Sequence, residues 1–319
     1  MYRSLSLFIA VSALFVSCVS GEKKPASVPA VQPAELSSVY PSTPLMNPRR
    51  MIVAGDHLVV FEGRAEHPFM VFSLPTEGMA YPAGHRGRGP GEVLSPDLKS
   101  FSSDGSVFSF MDSDGLEKVF CFSGDSLILS SSRALPHIHM PLNGVIRVGN
   151  GHINYMLRPS AYEYEYVDDI TGETKDFLLR PSLGEGSDSN DMFSHLHVLL
   201  RHPSGEMFAA AYSFLGLIRY FDDAGTVIKE CPIPLEGVPG LSPDRLSFYT
   251  LGCCDQNRIV LKYGSDEIHV FDWSGEFIKR LKLDRNIDLM TVDFKRKTLY
   301  ALDLNEDAPK LYMLVNSSF

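Results

Sequence analysis

The stretch that decides the fold runs from Asn257 to Leu281 and reads Asn-Arg-Ile-Val-Leu-Lys-Tyr-Gly-Ser-Asp-Glu-Ile-His-Val-Phe-Asp-Trp-Ser-Gly-Glu-Phe-Ile-Lys-Arg-Leu. It contains a strand-like run, a short turn, a second run that ends in an aromatic residue and Asp, a turn with Gly275, and a third run. Residues 205–229 repeat this order. Phe221 and Phe271 hold the aromatic position and lie 50 residues apart. The two stretches therefore indicate a repeated β unit.

Four more degenerate copies fit the same frame, each with two strand-like runs. They begin at His57, Ser106, His152 and Lys297. Six copies in about 270 residues give a period of roughly 45, which is typical of propeller blades. One four-stranded blade cannot cover both of its faces, whereas a closed ring of blades covers them and removes exposed edges. The sequence therefore predicts an all-β fold, a six-bladed β-propeller of four-stranded antiparallel sheets. The alternative, two separate β-sandwiches, would not predict the long-range repeat.

The composition supports a folded domain and excludes one class of partner. Of the 319 residues, 44% are hydrophobic, which is enough for a substantial core. The chain has 29 basic and 39 acidic residues and a net charge of −10. Nonspecific binding to nucleic acid needs an excess of Lys and Arg facing the phosphates, so we expect no nucleic-acid partner.

The N-terminus has the pattern of an export signal. Arg3 precedes an apolar stretch of about twelve residues, Leu5 to Val16, and a membrane-spanning helix needs roughly twenty. The stretch ends in Ser17-Cys18, which resembles the lipobox of bacterial lipoproteins. That resemblance implies a signal peptide over residues 1–17 and an acylated Cys18 as membrane anchor. A plain secreted protein with an incidental cysteine is the alternative.

The segment after the signal differs in composition from the rest. Residues 19 to about 45 contain many Pro, Ser and Ala residues and have no hydrophobic period. Such a segment cannot bury enough surface to fold. We therefore expect residues 18–45 to be the lipidated cysteine and a flexible tether, and residues 46–319 to form the propeller.

A glycine-rich loop follows the first copy of the repeat. Gly87-Arg88-Gly89-Pro90-Gly91-Glu92 is similar to a stretch found after the first blade of TolB-like six-bladed propeller lipoproteins of Bacteroides-type bacteria. This resemblance implies the propeller fold and a location in the bacterial cell envelope, lipid-anchored in the periplasm or at the outer surface. Members of that family mostly lack an assigned activity, so the resemblance implies no catalytic residue.

Two interpretations of this loop remain open. Its consecutive backbone amides can form an anion-binding nest, with Arg86 and Arg88 adding positive charge. In the other interpretation the loop is a structural crossover between blades, in which Glu92 pairs with an arginine or caps backbone amides. It is not a P-loop, because no Gly-Lys-Ser/Thr opens a helix.

Two His-x-His pairs are candidate metal ligands. His137 and His139 form the first pair, and His195 and His197 the second. Residues i and i+2 of a strand point to one face, so each pair has the spacing to chelate a metal. No carboxylate lies at a compelling offset, and two polar-face pairs are the simpler interpretation. We predict no cofactor.

Tyrosines and cysteines give further, ambiguous signals. Tyr162, Tyr164 and Tyr166 alternate with two glutamates, which suits either an exposed face that stacks on a sugar or a half-buried strand face. The remaining thiols permit several disulfide pairings or none. They are Cys121, Cys231, Cys253 and Cys254. No CxxC motif supports a zinc ribbon or a redox site.

The sequence contains no complete catalytic constellation. We therefore expect an extracytoplasmic binding or interaction module whose end face or channel holds a peptide, a glycan or an envelope partner protein. The alternative is a propeller enzyme, a hydrolase or lyase, with acidic or His residues converging in the channel. A structural subunit of an envelope complex is a third possibility. Fold alone does not decide among them.

Overall fold

The computed structural model describes residues 28–39, 45–74, 80–138, 144–156, 160–182, 195–233, 248–305 and 308–319. Every named element in these ranges is a β-strand, and there are 27 of them. No helix in the described part of the chain is long and apolar enough to cross a membrane. Six antiparallel sheets of four strands form a six-bladed propeller, as the repeat predicts.

The first three blades follow one another along the chain. Blade A contains β3 (Pro48–Ala54), β4 (His57–Glu62), β5 (Phe69–Ser73) and β6 (Ala80–Ala83). Blade B contains β9 (Ser102–Asp104), β10 (Val107–Met111), β11 (Leu116–Ser123) and β12 (Ser126–Ala134). Blade C contains β13 (Ile146–Val148), β14 (Gly151–Tyr155), β15 (Tyr162–Asp168) and β16 (Thr174–Leu179). A short parallel pair, β7 (His85–Arg86) and β8 (Glu92–Val93), lies between blades A and B.

The last three blades include the clearest repeats. Blade D contains β17 (His197–Arg201), β18 (Met207–Tyr212), β19 (Leu217–Asp222) and β20 (Val227–Pro232). Blade E contains β21 (Tyr249–Cys254), β22 (Arg258–Tyr263), β23 (Glu267–Asp272) and β24 (Phe277–Leu283). Blade F contains β25 (Leu289–Asp293), β26 (Thr298–Asp303) and β27 (Lys310–Val315). All six copies of the repeat coincide with the second and third strands of a blade.

The N-terminal segment closes the ring, which corrects the predicted boundary at residue 46. β1 (Val31–Ala34) pairs in parallel with β24 as a fifth strand of blade E, and β2 (Ser37–Val39) pairs with β27 as the outer strand of blade F. Leu36 and Val39 are buried. The prediction of a flexible tether is therefore wrong for residues 31–39, because their backbone pairs with two sheet edges and the side chains of Leu36 and Val39 enter the core.

The turn that recurs in blades D and E has a local physical cause. In blades D and E the third strand ends at Asp222 or Asp272, whose Oδ1 accepts the backbone N–H four residues later at 2.7 and 2.9 Å. Gly225 and Gly275 each have φ of +82°, a left-handed conformation that glycine adopts without strain. The aromatic-Asp-x-x-Gly pattern in the sequence is thus a hairpin in which a carboxylate holds the turn.

The core lies between neighbouring blades. Among the described residues, large apolar clusters fill five of the six blade contacts, and the contact between blades B and C has only Met111, Leu135 and Val145 as its buried apolar set. Polar groups lie near this contact instead: Arg147 pairs with Asp169, whose other oxygen is 2.7 Å from Nδ1 of the buried His152. The innermost strands β3, β9, β13, β17, β21 and β25 enclose a central channel.

Candidate functional site

The glycine-rich loop binds its own carboxylate. Glu92 Oε2 accepts the N–H of Gly89 at 2.7 Å, and an added Cβ at Gly87 or Gly89 would meet the Glu92 carboxylate. Arg86 donates to three backbone carbonyls, of Glu62, Ala65 and Leu94. Glu92 therefore occupies the concave side of the loop, and the Arg86 guanidinium holds the surrounding chain. Arg88 and Gly91 make no contact with this carboxylate among the described residues, and Arg88 is exposed.

The two His-x-His pairs do not assemble a metal centre in the described ranges. His137 lies in an exposed turn with φ of +49°, and His139 lies outside the described residues. His195 and His197 are buried, and His197 Nδ1–H donates to the His195 carbonyl at 2.7 Å. No group of three His, Cys, Asp or Glu side chains in those ranges has the geometry to hold a metal ion. Among the described residues no disulfide joins any of Cys121, Cys231, Cys253 and Cys254.

The channel is a cavity of the described structure with room for a ligand. It has a volume of about 540 Å³ and runs along the ring axis, so residues from all six innermost strands reach it. Its wall combines polar and apolar groups, as small-molecule sites do. The most informative residues of the channel wall are one arginine and one lysine. They lie at the end of the channel where the chain passes from blade to blade.

Arg50 and Lys99 are two of the four Lys and Arg side chains that line this site, together with Arg147 and Arg201. Arg50 is the third residue of β3, and Lys99 lies in the connection from blade A to blade B. Neither side chain has a hydrogen bond to a described residue or an ion pair with one, and Arg50 Nε is a buried donor without a partner there. Burial lowers the pKa of Arg50 and of Lys99, although Asp97 opposes both shifts. A charged donor left unpaired inside a protein is costly, so the buried Arg50 Nε points to a missing anion, and the exposed Lys99 adds a second, accessible cation.

Asp97 fixes the backbone that carries Lys99 but does not neutralise the lysine by direct contact. Its carboxylate accepts backbone N–H groups from Lys99 at 3.1 Å, Gly144 at 2.6 Å and Val145 at 3.3 Å. The Ser100 hydroxyl closes the turn by donating to the Asp97 carbonyl at 2.7 Å. The Asp97 carboxylate thus accepts hydrogen bonds from the backbone, and the Lys99 ammonium, which lines the channel, donates none to it.

An aromatic wall lies beside Lys99. The Lys99 Nζ is 5.6 Å from the ring centroid of Tyr155, a cation–π contact. Tyr155 and Tyr164 meet edge to face at 5.7 Å, and the Tyr164 hydroxyl donates to Nε2 of His197. Tyr164 is buried, so the tyrosine pattern of β15 corresponds to a strand face in the core between blades C and D.

A buried acid lies behind this wall. Glu163 is fully buried; Tyr212 donates to its Oε1, and its Oε2 has no hydrogen-bond partner. Burial raises the pKa of Glu163 to about 8, although Tyr212 and Arg219 oppose the shift. Burial lowers the pKa of His197 to about 3. Both shifts therefore favour the uncharged forms of Glu163 and His197 near pH 7.

Sequence reasoning did not find Arg50 or Lys99. They belong to no motif and are 49 positions apart, and only the ring brings both beside one cavity. The available signal was Arg50, which stands directly before the apolar run Met51-Ile-Val-Ala of an innermost strand.

Comparison with known proteins identifies the fold and no family. No family model and no curated protein matches the sequence. A protein from Bacteroides fragilis, whose name describes it as exported, superposes with a TM-score of 0.54 at 13% identity, covering 92% of this chain and 98% of its own. A member of the DUF4221 family from Bacteroides vulgatus gives a TM-score of 0.58 at 10% identity, covering 90% and 96%. The chain thus shares its propeller fold with two Bacteroides proteins over nearly their whole length.

Proposed function

We propose that this chain is a binding protein of the bacterial cell envelope, whose propeller channel holds a small organic anion between Arg50 and Lys99. The observation that carries the proposal is the buried Nε of Arg50, a donor without a partner among the described residues, at a cavity that Lys99 also lines. A carboxylate or phosphate supplies a missing hydrogen-bond acceptor, and the burial of Arg50 Nε strengthens the attraction at that group.

The channel volume limits the ligand to a small molecule or to one end of a larger one. About 540 Å³ accommodates a sugar acid or the C-terminal residues of a peptide. Tyr155, with its ring beside Lys99, offers an apolar surface next to the charged groups. The proposal therefore refines the expected peptide or glycan ligand to one that presents an acidic group.

The experiment is calorimetric titration of the purified chain with citrate, glucuronate and glutarate, and with neutral glucose as the uncharged comparison. We expect the acids to bind and glucose not to bind. Arg50→Gln and Lys99→Gln should each weaken binding tenfold or more, in line with about 1.5–3 kcal/mol for a charge-assisted hydrogen bond. Lys295→Gln is the matched control, because Lys295 is 78% exposed and its ion-pair partner among the described residues is Asp56. Equal effects of all three substitutions would contradict a channel site.

The anchor belongs to the same proposal. Cys18 lies outside the described residues, and its acylation is supported by the lipobox-like sequence and by the exported Bacteroides relative in fold. Metabolic labelling with a palmitate analogue tests it. We expect label in the wild-type chain and none in Cys18→Ser, with the variant released from the membrane fraction.

A further inference from the structure

The contact between blades C and D contains buried polar groups that the site at Arg50 does not use. Tyr155, Glu163 and Arg180 lie at the same end of blade C, where β14 ends, β15 begins and β16 has just ended. All three side chains are more than nine-tenths buried. Four of their polar atoms have no hydrogen-bond partner among the described residues: the Tyr155 hydroxyl, Glu163 Oε2, and Nε and Nη1 of Arg180. Each such atom is costly to bury unpaired, so together they point to a missing partner.

Backbone contacts bring these three residues close to one another. Arg180 Nη2 donates to the carbonyl of Met156 at 3.4 Å, and the N–H of Met156 donates to the carbonyl of Glu163 at 2.8 Å. Burial raises the pKa of Tyr155 and of Glu163, and the positive charge of Arg180 acts against both shifts, which requires that it lie near both. The unpaired atoms therefore belong to one cluster, and we call Tyr155, Glu163 and Arg180 the C–D corner.

The unpaired atoms of the C–D corner are hydrogen-bond donors. Nε and Nη1 of Arg180 carry N–H groups, and burial raises the pKa of Tyr155 to about 12, so the Tyr155 hydroxyl keeps its proton. Tyr212 donates to Glu163 Oε1, so Oε2 is the oxygen that carries the proton in the uncharged form of Glu163, which burial favours. Several donors in one buried region are matched by an acceptor, and a guanidinium group favours an anionic one.

No acid among the described residues supplies that anion, and the channel gives a route to the corner. Arg180 forms no ion pair with a described residue, whereas the neighbouring Arg219 has Glu230 at 2.9 Å. Tyr155 lines the channel, and its ring lies 5.8 Å from the ring of His197, which lines the channel too. The corner is thus one side chain away from the channel.

We propose that the C–D corner is a second anion site, in which Arg180 and the Tyr155 hydroxyl bind a carboxylate or a small inorganic oxyanion. Both kinds of anion present the same acceptor oxygens, and a carboxylate can also belong to a larger molecule in the channel. Arg50 is not part of this site, so the inference does not rest on the proposed function.

The test follows single arginine side chains of the full chain by NMR. The Nε–H resonances of Arg180, Arg50 and Arg133 in the ¹⁵N-labelled protein are assigned by their loss in Arg180→Lys, Arg50→Lys and Arg133→Lys, and sodium formate is then added to the wild type at constant ionic strength. We expect the Arg180 resonance to shift along a curve that saturates. Arg133 is the matched control, because it is half-exposed and already pairs with Glu117 at 2.9 Å. An Arg180 resonance that does not shift, or that follows the same course as Arg133, would overturn the proposal.

One substitution tests the hydroxyl group alone. Tyr155→Phe removes the donor and keeps the ring, so the formate concentration that half-saturates the Arg180 shift should rise about fivefold, as expected for the loss of one hydrogen bond. Tyr166→Phe is the matched control, because the Tyr166 ring lies under Lys175 at 4.8 Å and outside the C–D corner, so the concentration should not change. A thermal melt checks that both variants are folded. Equal concentrations in all three proteins would remove Tyr155 from the site and refute the proposal as stated.

Two more anions identify the source of the ligand. Shifts of Arg180 with formate and nitrate would indicate a small-ion site, and shifts with formate and glutarate but not nitrate would indicate the carboxylate of a larger ligand; both outcomes agree with the proposal. A saturating response at Arg50 without one at Arg180 would overturn this inference and leave the proposed function standing. A response at Arg180 without one at Arg50 would do the reverse.

Discussion

Closure of the ring by the N-terminal segment makes a sharp prediction about stability. Val39 is 8% exposed and packs in the cluster between blades F and A, whereas Val31 is 46% exposed on the outer edge of blade E. Both residues are valines in short N-terminal strands that pair with the last strands of the chain. Val39→Ala and Val31→Ala are therefore the same chemical change at a closing strand and at an added edge strand.

The expected magnitudes follow from burial. Removing two buried methyl groups costs about 0.8 kcal/mol each, and the cavity left behind adds to the loss. We expect Val39→Ala to lower the free energy of unfolding by about 1.5–3 kcal/mol and Val31→Ala by less than about 1 kcal/mol. Urea denaturation of the purified chain, followed by intrinsic fluorescence, measures both values under identical conditions.

The comparison can refute the closing role of β2. If the two variants lose the same stability, or if Val39→Ala is neutral, then Val39 does not contribute to a core between blades F and A. A larger cost for Val31→Ala would place the important contact at β1 instead. The denaturant slopes should agree among the three proteins, because a change in slope would mean that the unfolded or folded state had changed in compactness.

Three further predictions concern buried charge and backbone conformation. The folded chain holds a proton on Glu163 up to its raised pKa of about 8, so the free energy of unfolding should fall as pH rises from 4.5 to 8. In urea titrations, Glu163→Gln should remove that part of the pH dependence. The neighbouring variant Glu165→Gln should keep it. Gly275 and Gly264 have φ of +82° and +56°, but an added Cβ meets Cys231 Sγ at 2.5 Å only at Gly275. Both alanine variants should lose about 1 kcal/mol of stability to backbone strain. Gly275→Ala should lose clearly more, which a thermal melt measures. The buried Lys118 donates to Asp112 and Asp114 at 2.7 and 2.8 Å. Lys118→Met should leave the buried Asp112 carboxylate with its backbone N–H donors but without a cation, and should cost about 3–5 kcal/mol in chemical denaturation, unlike Lys295→Met at the surface.

The sequence predicts the blades well because each blade is a local unit. Three signals act over fewer than about ten residues: alternation within strands, Gly at tight turns, and the Asp that holds the hairpin. The turns at Asp222 and Asp272 can therefore be predicted without any tertiary information. The closing strand escapes prediction for the opposite reason. Residues 37–39 have no strand-like period of their own and become a strand only because β27, some 270 positions later, offers an open edge.

The candidate site escapes prediction because it depends on charge placement after closure. The His-x-His pairs were visible as motifs, yet the hydrogen bonds of His197 go to a backbone carbonyl and to Tyr164. Glu163 was visible only as one of two acids between tyrosines, and its altered protonation comes from packing against blade D. Arg50 and Lys99 were two of 29 basic residues until the ring placed them beside one cavity.

The position of Arg50 connects ligand binding with ring stability. Arg50 lies in the first strand after the closing segment, and Glu62 Oε2 fixes the start of that strand by accepting the N–H groups of Met46 and Asn47 at 3.2 and 2.6 Å. A ligand that binds only the folded ring stabilises it by RT ln(1 + [L]/Kd), about 2.7 kcal/mol at a hundredfold excess over Kd. Since Val39 does not line the channel, Val39→Ala should lose basal stability but keep this full increment with citrate, whereas Arg50→Gln should lose the increment. Denaturation of both variants with and without citrate measures the two quantities separately, and an increment that disappears in Val39→Ala would mean that closure and the channel form a single coupled unit.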